Sequence, residues 1–197
     1  MKKSFILYSV LGLLALLSCS KDELLTLTQV EKDDLTFLRE EEKLARDVYL
    51  YSYDKYGEDI FNSISQSEQK HMDKVLSLLK KYKINDPALI ERGVFNNQIL
   101  QKLYIDLTNQ ADISLAEALK VGAKIEDLDI KDIDLNMGRT VNEDLQDLYI
   151  KLGCGSNNHM RGFLGKLNEL EIEYSPQYIS AEKYTVIINS GNEKCGK

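Results

Sequence analysis

Apolar residues recur along most of the chain at three- and four-residue spacing, the period of a helix with one buried face. The first such stripe starts near Leu35 and runs to about Tyr56, where Gly57 supplies the usual helix stop. A second begins near Ser63, carries Ile64, Met72, Val75, Leu78, Leu79 and Tyr82, and ends before Asn85-Asp86-Pro87. The stretch from Lys83 to Ile113 is a long connection holding its own shorter amphipathic segment, Asn97 to Asn109, with Leu100, Leu103, Tyr104 and Leu107 at helical spacing. Ser114-Leu115-Ala116-Glu117 has the capping-box pattern and opens a third long helix through Ala118, Leu119, Gly122, Ile125, Ile130 and Ile133 to a break at Asn136-Met137-Gly138. Thr140-Val141-Asn142-Glu143 repeats that pattern ahead of a fourth, marked by Leu145, Leu148, Tyr149, Leu152, Phe163, Leu167 and Leu170. After Ser175-Pro176 a short stretch, Ala181 to Ile188, packs back on the rest.

The expected fold class is all-α. Short connections between the first and second and between the third and fourth long helices, with a long helical crossover between, make the second and third run parallel in a four-helix bundle. Composition agrees: with no Trp, 8% aromatic residues and 2 Pro, the chain lacks the turn punctuation of a sandwich or barrel. A formal charge of -7 argues against nucleic acid as a partner, because phosphate binding needs clustered cations.

Lys2 and Lys3 precede an apolar run from Phe5 to Leu17, too short to span a bilayer but suited to a secretory signal occupying residues 1–18. Leu16-Leu17-Ser18-Cys19 resembles the lipobox of bacterial lipoproteins, which implies lipidation of Cys19 and a membrane partner reached through the anchor. Ser20-Lys21-Asp22-Glu23 is similar to the export signal of surface lipoproteins in the Bacteroidetes group, implying an outer-membrane anchor on the periplasmic or cell-surface side. Residues 19–34 then read as lipidated cysteine and tether, 35–188 as the helical domain and 189–197 as a polar tail. Cys154 and Cys195 are candidates for a disulfide in such an oxidising compartment.

Polar residues that fall on the apolar stripes carry the candidate chemistry. Glu68 and His71, three apart between Ile64 and Val75, offer a carboxylate and an imidazole side by side. His159, the other of the 2 histidines, lies on the stripe of the fourth helix between Leu152 and Phe163. Glu126 continues the inward line of the third helix, with Asp129 three residues on; otherwise Glu126 to Asp134 reads as a solvated face. On the first helix Phe37, Leu44 and Val48 centre the stripe near Glu41, while Leu38, Ala45 and Tyr49 flank Glu42, and periodicity leans to Glu41. Several carboxylates in one core cost several kcal/mol per unpaired charge unless a cation neutralises them, and oxygen and imidazole donors without thiolate favour iron, manganese or zinc.

These residues resemble the ferritin-like superfamily, and more narrowly domain-of-unknown-function family 2202, over about residues 35–188. Glu42-Lys43-Leu44-Ala45-Arg46-Asp47-Val48-Tyr49 resembles the Glu-x-x-Ala-x-x-x-Tyr pattern of rubrerythrins and bacterioferritins, which implies Glu42 as a terminal ligand. Glu68 to Lys74 is similar to a bacterioferritin segment, which implies Glu68 as a bridging carboxylate and His71 as its terminal partner, with Glu126 the glutamate of the third helix. The fourth helix departs from the pattern: Ser156-Asn157-Asn158-His159 keeps the histidine but has serine in place of the carboxylate, and Asp129 is the candidate substitute. Gly155 to Phe163 instead resembles the signature of family 2202. The metal set expected is therefore Glu42, Glu68, His71, Glu126, His159 and Asp129. The leading expectation is an anchored lipoprotein binding a transition metal with weak or no catalysis. The alternatives are a di-iron-type oxidase or peroxidase acting on O2 or peroxide, and a structural lipoprotein without metal.

Overall fold

In the computed structural model, which describes residues 26–195, those residues form six helices and no strand. They are α1 (Gln29–Tyr56), α2 (Asp59–Lys81), α3 (Gln98–Ala111), α4 (Leu115–Met137), α5 (Glu143–Glu169) and α6 (Ala181–Asn189). The expected signal segment, Cys19 and the last two residues of the tail lie outside the described residues. No described helix is long and apolar enough to cross a membrane.

The four long helices pack as two hairpins, α1 with α2 and α4 with α5, joined through α1 against α4 and α2 against α5. Directions follow from the cross-helix contacts. Glu31 meets Thr140 while Tyr56 meets Ala111, so α1 and α4 run oppositely. Tyr82 meets Asn142 while Ser67 meets His159, so α2 and α5 do too. Since α1 is also antiparallel to α2, with Glu42 opposite His71 and Arg46 opposite Gln69, α2 and α4 run parallel. The crossover containing α3 exists to make that return, and α3 lies over α1 and α4.

Helix α2 begins at Asp59, four residues before the expected start near Ser63, and two other boundaries move for local reasons. Helix α1 begins at Gln29, six residues before Leu35 and inside the expected tether, because Thr28 and Glu31 form a capping box there. The cap of α5 is Asn142, whose side chain accepts from the amides of Asp144 and Leu145, and not Thr140. Thr140 Oγ1 donates to Glu31 Oε1 at 2.5 Å, so one hydroxyl ties the start of α1 to the turn before α5.

The largest departure concerns α1, where five successive charged residues, Arg39 to Lys43, are buried. A helix with one covered face cannot do this; α1 is covered on two. The bundle packs on one side and the crossover on the other. Arg39 grips Asp86 through two 2.9 Å bonds, and Glu40 accepts from the amides of Asn96 and Asn97. The Lys43 ammonium bonds Asp47 at 2.6 Å, the carbonyls of Glu91 and Val94, and the face of Phe95. On α4, Asp127 is likewise buried and not part of a solvated face: it accepts from Tyr174 Oη and from the amides of Gln177, Tyr178 and Ile179, seating the loop before α6.

Removing one partner of a buried pair leaves the other charge uncompensated. Asp47→Ala is therefore expected to cost about 3–5 kcal/mol in urea unfolding. Asp54→Ala, which breaks an exposed pair with Arg92, costs about 1 kcal/mol or less.

Candidate metal centre

The apolar core is split in two. One cluster holds Leu44, Ala45, Ile64, Ile125, Met160 and Phe163; the other holds Leu35, Leu38, Val75, Leu79, Ile133 and Leu152. The level between them on every long helix is polar and buried: Glu41 and Glu42 on α1, Glu68 and His71 on α2, Glu126 and Asp129 on α4, and Ser156 and His159 on α5.

Within that layer, donor atoms converge in two triads, Glu42 with Glu68 and His71, and Glu68 with Glu126 and His159, each with its atoms within 4.8 Å of one another. Glu68 belongs to both. Its Oε2 lies 2.9 Å from His71 Nδ1 and its Oε1 lies 2.7 Å from His159 Nδ1. Glu42 Oε2 is 3.1 Å from the same nitrogen of His71, and Glu126 Oε2 is 3.5 Å from that of His159. The two imidazoles stack with centroids 5.4 Å apart.

Of these approaches, only that of His71 Nδ1 to Glu42 Oε2 is aligned as a hydrogen bond. Both oxygens of Glu68, Nδ1 of His159, Oε1 of Glu42 and Oε2 of Glu126 are buried without a hydrogen-bond partner. Donor atoms this close together, facing one another without hydrogen-bond alignment, could hold a shared cation. The donor set, carboxylate oxygen and imidazole nitrogen, fits a divalent transition metal.

Outer residues orient these donors. Ser67 Oγ lies 2.9 Å from His159 Nε2, which in the neutral tautomer donating there leaves Nδ1 bare toward the carboxylates. The Tyr49 hydroxyl donates to Glu126 Oε1 at 2.6 Å. Gly155 is what admits the His71 ring, since a Cβ at this position would stand 2.5 Å from Nε2. Gly122 likewise makes room for the ring of Phe163, which packs on Tyr49 at 5.1 Å.

Electrostatics show what an interior of this kind demands. Burial pushes the Glu42 carboxyl up to about 7 against the pull of His71. Burial also opposes ionisation of Glu68, but the imidazoles of His159 and His71 outweigh it and hold this carboxyl well below its usual range. Burial works against the His71 imidazolium too, yet Glu42 and Glu68 raise it to about 10; against the same burial, Glu68 and Glu126 raise His159 well above the usual imidazole range. Asp129 and Glu41 are raised well above ordinary carboxyls, by burial first and then by neighbouring acids. Protons on imidazoles and outer carboxyls thus fill the place that a cation takes.

The family described as "Uncharacterized protein domain (DUF2202)" matches residues 31–191. The chain belongs to this DUF2202 family. It is 49% identical over 169 residues to uncharacterized protein MJ0754 of Methanocaldococcus jannaschii, across 85% of this chain and 91% of that protein. The crystal structure of hypothetical protein MJ0754 from Methanococcus jannaschii superposes with a TM-score of 0.84, covering 85% of this chain and 97% of that one at 49% identity.

Of the residues singled out from the sequence of this DUF2202 chain, Glu42, Glu68, His71, Glu126 and His159 come together in the triads. Asp129 does not. It is buried in the same layer, with Oδ2 unpartnered, but outside both ligand groups and nearer Glu41. Glu41, favoured by periodicity, is buried with both oxygens unpartnered and is also outside them. Ser67 carried no signal, lying on the turn before a motif residue; Gly155 stood within a recognised segment but without a role.

Gly155→Ala forces the His71 ring to move and is expected to destabilise the protein by about 1–3 kcal/mol, with a shifted His71 resonance in the imidazole NMR spectrum. Gly165→Ala on the same helix, where nothing lies within 4 Å, is expected to gain up to about 1 kcal/mol.

Proposed function

We propose that this chain is a ferritin-like four-helix protein that binds two divalent transition-metal ions, iron, manganese or zinc, through a centre bridged by Glu68. The observation that carries the reading is the position of Glu68, whose two oxygens each face the Nδ1 of a different histidine without a hydrogen bond to either. Glu42 and His71 would complete one site, Glu126 and His159 the other. The ferritin-like reading is supported by the parallel run of α2 and α4 across a helical crossover and by one or two polar residues from each long helix at a single level.

Such ions would supply Lewis acidity and, for iron or manganese, one-electron redox chemistry. The chain's part is to hold and shield them. Ser67 bonds the Nε2 of His159, Tyr49 holds Glu126, and apolar clusters lie above and below. Three protein donors per site fall short of a filled shell, which favours a second reading, a redox centre acting on O2 or peroxide. The serine at position 156, where a fourth carboxylate would stand, favours binding over turnover, since Asp129, the candidate substitute, lies outside both triads.

Elemental analysis of protein purified without chelator should find about two ions per chain, none in Glu68→Ala and one in Glu42→Ala. Saturating metal at a hundredfold excess over Kd should stabilise the fold by about 2.7 kcal/mol for each site filled. No bound metal and no thermal shift with iron, manganese or zinc would leave a metal-free structural bundle.

The pH dependence has a definite sign. His71 is raised from 6.5 to about 10 in the metal-free fold, so its protonation stabilises that fold below about 6.5 and the contribution is lost as pH rises through about 10. A metal competes with that proton. Apparent affinity is therefore expected to rise with pH across this window, by up to about tenfold per unit for each proton displaced, with proton release visible by calorimetry in buffers of different ionisation enthalpy.

The segment before the helical domain supports a further part of the reading, an outer-membrane lipoprotein anchored through Cys19 on the periplasmic or cell-surface side. Cys19→Ser in the full chain should move it from the membrane to the soluble fraction.

A further inference from the structure

The last described residues do not trail into solvent. Cys195 is disulfide-bonded to Cys154 in the middle of α5, 41 residues away in sequence, and residues 190–195 lie as a strap along that helix. The strap is thinly held. Every residue from Ser190 to Lys194 is exposed, and none of them is a large apolar side chain. The Asn158 amide brackets Glu193, donating to its carbonyl at 3.0 Å and accepting from its N–H at 2.9 Å, while Arg161 reaches Ser190 and Glu193. A cavity of about 510 Å³ adjoins it, lined by both cysteines, Glu193, Lys194, Asn157 and Ile133. Asn157 Oδ1 is buried without a partner.

The surroundings of the sulfurs differ. Asn158 Nδ2 donates to Cys195 Sγ at 3.1 Å, a hydrogen bond that would stabilise negative charge developing there. Among the described residues no donor bonds Cys154 Sγ. A disulfide breaks faster toward the sulfur that better carries charge.

We propose that Cys154–Cys195 is an exchangeable disulfide opened by a small dithiol entering this cavity, and that its opening releases the 190–195 strap from α5. One thiolate of the dithiol attacks Cys154 Sγ, forming a mixed disulfide; the Cys154–Cys195 bond breaks and its electron pair leaves on Cys195, held by Asn158. The second thiol then attacks the mixed disulfide, freeing Cys154 and closing the reductant into its own disulfide. Two electrons pass to the cysteine pair, and the two protons of the dithiol end on Cys154 and Cys195. With the covalent tie gone, a strap without apolar anchors has only exposed hydrogen bonds to hold it, and the cavity becomes an open groove along α4 and α5.

The test uses the full chain in millimolar dithiothreitol without denaturant, followed by alkylation with peptide-level mass spectrometry, Cys19 being scored separately, and by hydrogen exchange. Cys154 and Cys195 should alkylate while α1, α2, α4 and α5 stay protected, the Glu193 amide, which donates to Asn158 Oδ1, should lose protection, and oxidised dithiothreitol should restore it. Alkylation only at the rate of global unfolding, or a strap still protected after reduction, would overturn the proposal. Cys195→Ser should release the strap without any reductant; a protected strap in that variant is equally fatal. Asn158→Ala should slow reduction severalfold although it also loosens the strap, and faster reduction would refute its assistance to the leaving sulfur.

Discussion

Everything in this molecule is arranged around the cost of keeping five carboxylates and two imidazoles in one dry layer. Glu41, Glu42, Glu68, Glu126 and Asp129 are each at most 2% exposed, and the bonds available to them from protein donors do not satisfy them. A charge left unpaired in such a place costs several kcal/mol, on the order of a domain's whole stability. The chain meets this cost in part with protons on His71 and His159, whose imidazoliums are favoured by the acids around them. Divalent cations at the same point would meet it more completely, and the ligand atoms already stand at the spacing this requires.

The rest of the fold makes that layer rigid. Apolar clusters above and below set the height of the four long helices relative to one another, and residues with no ligand role fix side-chain direction: Ser67 on one histidine, Gly155 behind the other, Tyr49 on Glu126. The crossover contributes from outside. By laying α3 and its flanking loops on the outer side of α1, it buries the Lys43–Asp47 pair and Glu40 as structural groups next to Glu41 and Glu42, which face the interior. Adjacent glutamates thus serve different ends on one helix. At the far side of α5 the disulfide-tied strap is attached with none of this depth, which is why its hold depends on one covalent bond.

Much of this was legible in the chain. Helical periodicity located all six helices, because each long helix has a continuous apolar stripe to bury, and the Asn97–Asn109 stripe revealed the crossover segment now seen as α3. Glu68 and His71, three apart on such a stripe, and His159 on another were visible as inward polar groups for the same reason. Boundaries were less legible. The start of α1 rests on a capping box lying before the apolar pattern begins, and the cap of α5 was misassigned since Thr140 and Asn142 both offer a side-chain oxygen, and a contact from α1 is what occupies Thr140.

Local spacing, hydrophobic pattern and caps sufficed to specify helices, their order and a set of inward acids and imidazoles, since these depend on residues within a few turns. What lay beyond them was the choice among neighbours. Glu41 and Glu42 flank one stripe and periodicity treats them almost alike, while Asp127, two residues from the inward Asp129, falls on the opposite face and reads as solvated. Which of these acids meets a histidine, and which instead seats a loop or faces another acid, depends on the helix or loop packed against it from a distant part of the chain. A single helical period carries no information about a second covered face, so the burial of Arg39 to Lys43 and the role of Asp127 emerged only once the crossover and the loop before α6 were in place.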